Sequence, residues 1–159
     1  LIILLAIPTQ IGLLTQFYQR PALTKIDSNE QQALVFLQTK TPTDSVILTP
    51  LFNKYLALNS STPSIWGWSD SDYVGAFAQR SVYLADLEQV TNTGYYYQYR
   101  QKLEEQLFTT KDPIAFNALI RETGADYLYF PLLQKPNINL NETFLRLIFS
   151  NNLVEIWKI

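Results

Sequence analysis

The spacing of apolar residues changes along the chain between a strand-like and a helix-like pattern. Val46-Ile47-Leu48 is a short continuous apolar run, which indicates a strand covered on both faces of a sheet, and 81–85 and 126–130 are two further strand candidates. The segments between them place apolar residues three and four positions apart, which is the spacing of amphipathic helices. Because helical segments separate these strands, we expect the three strands to be parallel.

The C-terminal sequence has two apolar runs with no helical segment between them. The runs at 144–149 and 154–159 flank Ser150-Asn151-Asn152, and asparagine tolerates the positive φ that tight turns need. This predicts an antiparallel hairpin. Together the two patterns predict the α/β class, as a three-layer α/β/α structure with a mostly parallel sheet and the C-terminal antiparallel hairpin at one edge.

Capping residues predict where helices begin and end. Ser28 to Gln31 matches a capping box, with Ser28 as the N-cap of a helix that ends near residue 39. Asp112-Pro113 supplies an N-cap and a proline at the first helical position, and Gly124 fits a left-handed C-cap. Further helices are expected within 50–58, over 72–78 and over 95–108.

The chain opens on an apolar run, 1–7, that is closed by Pro8. The sequence contains no methionine, so we expect Leu1 to be a cut end. Residues 1–8 fit either the last turns of a membrane helix or a strand or helix buried in the domain, since a full span needs about 20 apolar residues. The predicted organisation is a membrane-proximal stub and connector, 1–26, with a short amphipathic helix, followed by a single α/β domain, 27–159.

Composition excludes several kinds of chemistry. The 159 residues are 47% hydrophobic and carry a net charge of −2, without the concentrated positive face that nucleic acids require. There is no histidine and no cysteine, which excludes histidine acid–base catalysis, thiol catalysis and thiolate metal sites. No glycine-rich phosphate loop is present. We therefore predict no nucleic-acid partner, no cofactor and no metal site, and we assign no catalytic residue.

Asp70-Ser71-Asp72 has the D-x-D form that some sugar-nucleotide transferases use for a divalent metal. Two carboxylates at this spacing can share a hard cation through oxygen ligands. Asp70 and Ser71 also suit a turn that caps the following helix. We favour the capping interpretation, because a three-residue pattern arises often by chance.

Two tryptophans and several charged residues have the character of a carbohydrate or headgroup site, because aromatic faces stack on sugar rings while charges orient hydroxyls. We favour the alternative that the tryptophans pack a long loop against the domain or a neighbouring surface, and Trp and Tyr also favour membrane interfaces. Open α/β sheets bind ligands at the carboxyl ends of their parallel strands. A second candidate site, a cleft after the second strand, is therefore expected to include Thr49 and 95–100 beside Asp86 and Glu88. The predicted binding residues are Trp66, Trp68, Asp70, Asp72, Arg80, Asp86, Glu88, Tyr99 and Arg100.

The order of features from Glu30 to Tyr129 resembles the soluble tail domain that follows the last membrane helix in many bacterial and archaeal polytopic membrane proteins. These include GT-C type membrane glycosyltransferases of the protein mannosyltransferase-like group. Many such tails carry a glycine just before the arginine of the second strand, where this chain has Gln79. The segments that carry the resemblance are 33–37, 41–49, 80–84, Tyr99-Arg100, 124–129 and the closing 149–159.

The resemblance implies an extracytoplasmic domain, in the periplasm or at the cell exterior, whose parent holds its catalytic acid in an early loop far upstream. The leading hypothesis is a noncatalytic, membrane-tethered domain that packs on the membrane portion of the parent and helps to bind a lipid-linked sugar or acceptor. One alternative is a free-standing α/β enzyme or sugar-binding domain that uses Asp70, Asp72, Asp86 and Glu88. Another is a protein docking module with an exposed tyrosine and tryptophan patch.

Overall fold

The structure is a computed structural model that describes residues 2–20, 22–57 and 63–159, with side chains from residue 11 onward except that of residue 57. The side chains of the apolar run 1–8 lie outside the described residues. The helices are α1 (Ile2–Gln19), α2 (Ser28–Lys40), α3 (Ile65–Trp68), α4 (Tyr73–Ala78), α5 (Leu87–Asn92), α6 (Gln98–Thr109) and α7 (Pro113–Thr123). The strands are β1 (Val46–Leu48), β2 (Ser81–Val82), β3 (Tyr127–Pro131), β4 (Arg146–Ser150) and β5 (Val154–Lys158). Short 3-10 turns lie at Lys54–Ala57, Leu132–Gln134 and Leu140–Glu142.

The five strands form one sheet in the order β2-β1-β3-β5-β4. β1 pairs in parallel with β2 and β3, while β5 pairs antiparallel with both β3 and β4. The predicted α/β class is confirmed, with parallel strands at one end of the sheet and the C-terminal hairpin at the other. Strand β3 lies in the middle, and all five of its residues are buried.

Alternate residues of β3 serve two separate cores on the two faces of the sheet. Tyr127 and Tyr129 pack with apolar side chains of α2 and α4, whereas Leu128 and Phe130 pack with those of α6 and α7. This is the period-two alternation of a strand that is covered on both faces. The predicted three layers are therefore helices, sheet and helices.

Several predicted boundaries were wrong by a few residues. The N-cap of α2 is Asp27, whose carboxylate accepts from the amide of Asn29 at 2.8 Å, and Ser28 is the first helical residue. α6 begins at Gln98 instead of residue 95, because Gly94 adopts a left-handed φ of 70° and ends the separate, unpredicted helix α5. β2 pairs over only two residues of the predicted run 81–85.

The predicted connector holds one longer helix than expected. α1 runs unbroken from Ile2 to Gln19, and every side chain from Ile11 to Arg20 is exposed. Beyond it, the backbone of Lys25 pairs with the segment before α3, through Lys25 N to Pro63 O at 3.1 Å and Ile65 N to Lys25 O at 3.0 Å. The connector is thus fastened to the domain at Lys25, after α1 has ended.

Arg80 joins the C-terminal ends of α2 and α4 in the interior. Its guanidinium donates to the carbonyls of Gln38, Thr41, Ala78 and Gln79 and to the Thr41 hydroxyl, at 2.6 to 3.4 Å. These five bonds match the five N–H donors of an arginine side chain. A cation is also favoured at helix C-termini, where unpaired carbonyls concentrate negative charge. Arg80 therefore caps two helices at once.

Gln79, just before Arg80, is the C-cap of α4 and adopts the left-handed conformation, with φ 54° and ψ 46°. A residue with a Cβ pays about 1–2 kcal/mol in this region, whereas glycine does not. The glycine expected here from the family resemblance therefore has a conformational reason. The Gln79 side chain is exposed.

Glu30, on the inner face of α2, is a fully buried carboxyl group. The Tyr129 hydroxyl donates to Glu30 Oε1 at 3.3 Å, and Oε2 has no hydrogen-bond partner. Burial raises the pKa of Glu30 to about 7, although hydrogen bonds from the Tyr73 and Tyr129 hydroxyls act in the opposite direction. Glu30, Ala33, Leu34 and Leu37 lie at helical spacing, so the acid shares the buried apolar face of α2.

Replacing Gln79 by glycine is expected to raise the free energy of unfolding by about 1 kcal/mol. The relief of left-handed strain exceeds the roughly 0.5–1 kcal/mol that glycine costs through its freedom in the unfolded chain. Gln32→Gly, at an exposed position inside α2, is the matched control and should lower the same free energy by about 1 kcal/mol. Chemical denaturation measures the free energy of unfolding of both variants. Equal decreases in the two variants would contradict the claim that Gln79 is strained.

Glu30 is expected to make stability fall as pH rises. Its folded pKa lies above its unfolded value, so its stabilising contribution is complete below the unfolded pKa and is lost as pH rises through about 7. The shift corresponds to a loss on the order of 3 kcal/mol. Glu30→Gln should therefore gain stability relative to the wild type between about pH 5 and about pH 8.

The measurement is the free energy of unfolding of both proteins across that pH range. Glu88→Gln, which removes an exposed glutamate of α5, is the control and should change stability by less than about 0.5 kcal/mol. A difference between Glu30→Gln and the wild type that does not vary with pH would show that Glu30 is not the titrating group.

Candidate functional site

The three parallel strands end at the same edge of the sheet, and the loops that follow them form the candidate site. The loop after β1 contributes 49–55, the loop after β2 contributes 83–86, and the turn after β3 contributes 132–135. Ligands in open α/β sheets collect at this edge. The sequence-based prediction of a cleft that includes Thr49 refers to the same place.

Three predicted carboxylates meet at this edge, and each caps backbone amides. Asp72 accepts from Gly75 N at 2.9 Å as the N-cap of α4, and Asp86 accepts from Gln89 N at 3.1 Å as the N-cap of α5. Asp70 accepts from Leu87 N at 2.8 Å and so ties the D-x-D segment to the start of α5. The sequence assigned the capping of the following helix to Asp70 and Ser71, whereas in the structure Asp72 caps α4, Asp70 binds the start of α5, and Ser71 Oγ has no hydrogen-bond partner.

Partial burial and the charge of Asp86 both affect the pKa values of Asp70 and Asp72. Burial raises the pKa of Asp70 and of Asp72, and the neighbouring Asp86 charge raises both further, while the amide hydrogen bonds lower them in part. Within the described ranges, no group of three or more acidic side chains is arranged to hold a metal ion.

The cavity beside these acids has a volume of only about 40 Å³. Its wall includes Trp66 and Ser71, whose Nε1 and Oγ atoms are buried without a hydrogen-bond partner. A volume of this size holds one or two water molecules, whereas pockets for small organic ligands span about 300–1,000 Å³. The cavity therefore suits ordered water between the loops better than a sugar ring.

Arg100 lies on the far side of the segment 82–85. Its guanidinium donates to the Tyr83 carbonyl at 2.8 Å and stacks over the rings of Tyr83 and Tyr95, at 4.9 and 5.9 Å from their centroids. Arg100 and Asp72 both line a shallow cleft of about 180 Å³. The structure thus brings these two predicted residues to one opening.

The remaining predicted binding residues do not lie together at this edge of the sheet. Trp68, Glu88 and Tyr99 are exposed, and the Tyr99 hydroxyl donates to Glu122 on α7. Arg80 is only 8% exposed and its donors are engaged with backbone and Thr41 acceptors. Whether any of these residues binds a ligand stays a prediction.

Sequence reasoning missed a groove of about 520 Å³ at this edge. It lies between the loop after β1, the C-terminal half of α6 and the turn after β3, and its wall includes Glu104. A usable signal was present in the sequence, because Glu104 stands between Leu103 and Leu107 on the apolar stripe of α6. A glutamate on the apolar stripe of a helix is expected to be buried, and full burial of an unpaired glutamate is rare.

The described part of α1 does not pack on the domain. Ile11, Leu14 and Tyr18, which the sequence placed on one apolar face, are 58%, 56% and 82% exposed. Of the helices that the structure describes, none has both the length and the apolar character that crossing a membrane requires.

Comparison with known proteins gives a similar fold but no family assignment. No protein-family model matches the chain, and no curated protein matches it. Among solved structures, the C-terminal globular domain of an oligosaccharyltransferase from Archaeoglobus fulgidus has a similar fold, with a TM-score of 0.50 and 10% sequence identity. The likeness covers 86% of this chain and 99% of that domain. At this identity it concerns the fold, and it agrees in part with the resemblance seen in the sequence.

Proposed function

We propose that this chain is a noncatalytic, extracytoplasmic accessory domain of a membrane glycosyltransferase-like protein. It packs beside the membrane portion of that parent and helps to position a lipid-linked sugar or its acceptor. The observation that supports this most is the shared fold over nearly the full length of a domain that ends an oligosaccharyltransferase.

The exposed helix α1 supports attachment to a larger body. A monomeric domain rarely leaves a contiguous apolar surface open, and such surfaces mark protein or membrane contacts. On α1 the exposed apolar side chains are Ile11, Leu13, Leu14, Phe17 and Tyr18. The described contacts fasten the chain to the domain beyond α1, at Thr24 and Lys25, so the exposed segment 11–20 can pack against another part of the parent.

An aromatic surface near the start of α6 fits contact with a membrane interface. Tyr95, Tyr96 and Tyr99 are 49%, 77% and 52% exposed. Tyrosine rings suit the boundary between headgroups and water, because one end is apolar and the other forms hydrogen bonds. This favours a domain that lies close to the membrane.

The chemistry of the acids supports an accessory role in place of a catalytic one. Asp70, Asp72 and Asp86 are engaged in capping backbone amides. The adjacent cavity is too small for a sugar. An active site in the parent would then lie outside residues 1–159.

The proposal predicts that the reading frame carrying this chain encodes several membrane spans before Leu1, and that the domain faces outward. The chain has no cysteine, so a single Lys102→Cys on the exposed face of α6 gives one labelling site in this domain. In intact cells that produce the full protein, a membrane-impermeant maleimide should label this cysteine.

Ala33→Cys, at a position that is 0% exposed, is the matched control and should react only after denaturation. Labelling of residue 102 that needs cell lysis would place the domain inside the cell. A reading frame without membrane spans would remove the parent that the proposal requires.

A further inference from the structure

The loops after β1 and β3 expose large apolar side chains around the groove of about 520 Å³. Tyr55, from the loop after β1, and Leu133, from the turn after β3, both line this groove and are 67% and 72% exposed. Phe52 and Phe108 are half-buried and form part of its apolar wall. The two loops therefore present apolar surface to solvent around one opening.

Trp68 extends this surface on a third segment. It is the last residue of α3, which packs against the 3-10 turn at Lys54–Ala57, and it is 44% exposed. Trp66 on the same short helix is buried, so α3 turns one tryptophan inward and the other outward. We call these exposed side chains and the two lysines of the same loops the loop surface, which consists of Tyr55, Trp68, Leu133, Lys54 and Lys135.

The charges of the two loops are cationic. Lys54 and Lys135 line the groove and are exposed, and they are the only charged residues within 49–57 and 132–135. The Lys54 ammonium lies over the Tyr55 ring, 5.3 Å from its centroid. The exposed acid of the groove, Glu105, belongs to α6 on another wall. The loops therefore combine aromatic rings with positive charge.

This combination is complementary to an anionic membrane surface. Tryptophan and tyrosine favour the headgroup layer of a bilayer, because one end of each ring is apolar and the other forms hydrogen bonds. Lysine side chains near such a surface are attracted to anionic lipids. A lysine can also lay its apolar stem along the interface while its ammonium group reaches a phosphate.

The loop surface lies close to the point where the connector from α1 joins the domain. Lys25 pairs with Ser64, the N-cap of α3, and the Thr24 hydroxyl donates to Pro63 O at 2.8 Å. Trp68 lies at the other end of that one-turn helix. A parent that holds the exposed apolar segment 11–20 at its membrane portion therefore brings this edge of the domain next to lipid.

We propose that the loop surface docks the domain on an anionic lipid bilayer. Tyr55, Trp68 and Leu133 enter the headgroup layer, and Lys54 and Lys135 contact lipid phosphates. The inference rests on the proposed attachment to a membrane protein and adds which edge of the domain faces the lipid.

Trp68 provides the probe for the test, because Trp66 and Trp157 are only 8% and 4% exposed. The full 159-residue chain is mixed with vesicles of phosphatidylglycerol and phosphatidylcholine whose acyl chains are brominated near the headgroup, since bromine quenches tryptophan on contact. These vesicles should quench the emission, and Trp68→Phe should remove most of that quenching. Unquenched emission, or quenching that Trp68→Phe leaves unchanged, would point to a protein partner for this surface and overturn the proposal.

Vesicle sedimentation separates the two lysines from general charge. Lys54→Gln and Lys135→Gln should each weaken binding to phosphatidylglycerol vesicles about fivefold at low salt, which is the effect of one lysine near an anionic surface. Lys158→Gln, at an exposed position at the end of β5, is the matched control and should bind like the wild type. No loss from the two loop variants, or equal losses from all three, would overturn the proposal.

Leu133→Ser tests the apolar contact in the same assays. It should lower both vesicle binding and the quenching of Trp68, because the serine side chain gains nothing from entering the headgroup layer. The control is Leu147→Ser, which replaces a 44% exposed leucine on β4 at the far end of the sheet and should leave both unchanged. Identical behaviour of the two variants would leave α1 as the membrane contact and overturn the proposal.

These outcomes are independent of the maleimide labelling of the full protein in cells. A domain that is labelled from outside the cell but does not bring Trp68 to lipid keeps the proposed function and loses only this inference. Labelling that needs cell lysis removes the proposed function even if the vesicles quench Trp68.

Discussion

The position of the edge strand β2 depends on one buried guanidinium, that of Arg80. Strand β2 pairs over two residues only, and two ladder positions are too few to hold an edge strand in place. Arg80 directly precedes β2 and fastens its start to the ends of α2 and α4 through five hydrogen bonds. Arg80 thereby fixes where β2 begins, while the loop after β2 is held at its far end by Asp70, which accepts from Leu87 N at 2.8 Å.

The acidic side chains at this edge of the sheet are of two kinds: some accept hydrogen bonds from backbone amides, and one has no hydrogen-bond partner. Asp70, Asp72 and Asp86 are satisfied by backbone amides around a cavity of water-like size. Glu104 is unsatisfied beside a groove with a volume more than ten times larger. Residues that already have partners hold the loops, whereas the carboxyl group of Glu104 is buried behind the groove wall without a partner.

The sequence predicted the three layers, the parallel strands and the antiparallel hairpin, because buried strands and capped helices leave local signals. Asp112-Pro113 and Gly124 marked α7 at both ends. The N-cap of α2 was placed one residue late, since Asp27 and Ser28 both suit the position and only the fold selects between them. The groove was missed because it is built by three segments that are distant in sequence. Arg80 was expected to bind a ligand, and its burial depends on α2 and α4 meeting, which a linear pattern does not encode.

The most direct test of this account is the free energy of unfolding of Arg80→Met, compared with Arg146→Met on the exposed strand β4. Loss of the buried guanidinium leaves carbonyls at two helix ends unpaired, so Arg80→Met should cost about 2–4 kcal/mol. Arg146→Met should change stability by less than about 0.5 kcal/mol. Equal effects of the two substitutions would contradict the claim that Arg80 anchors the edge of the sheet.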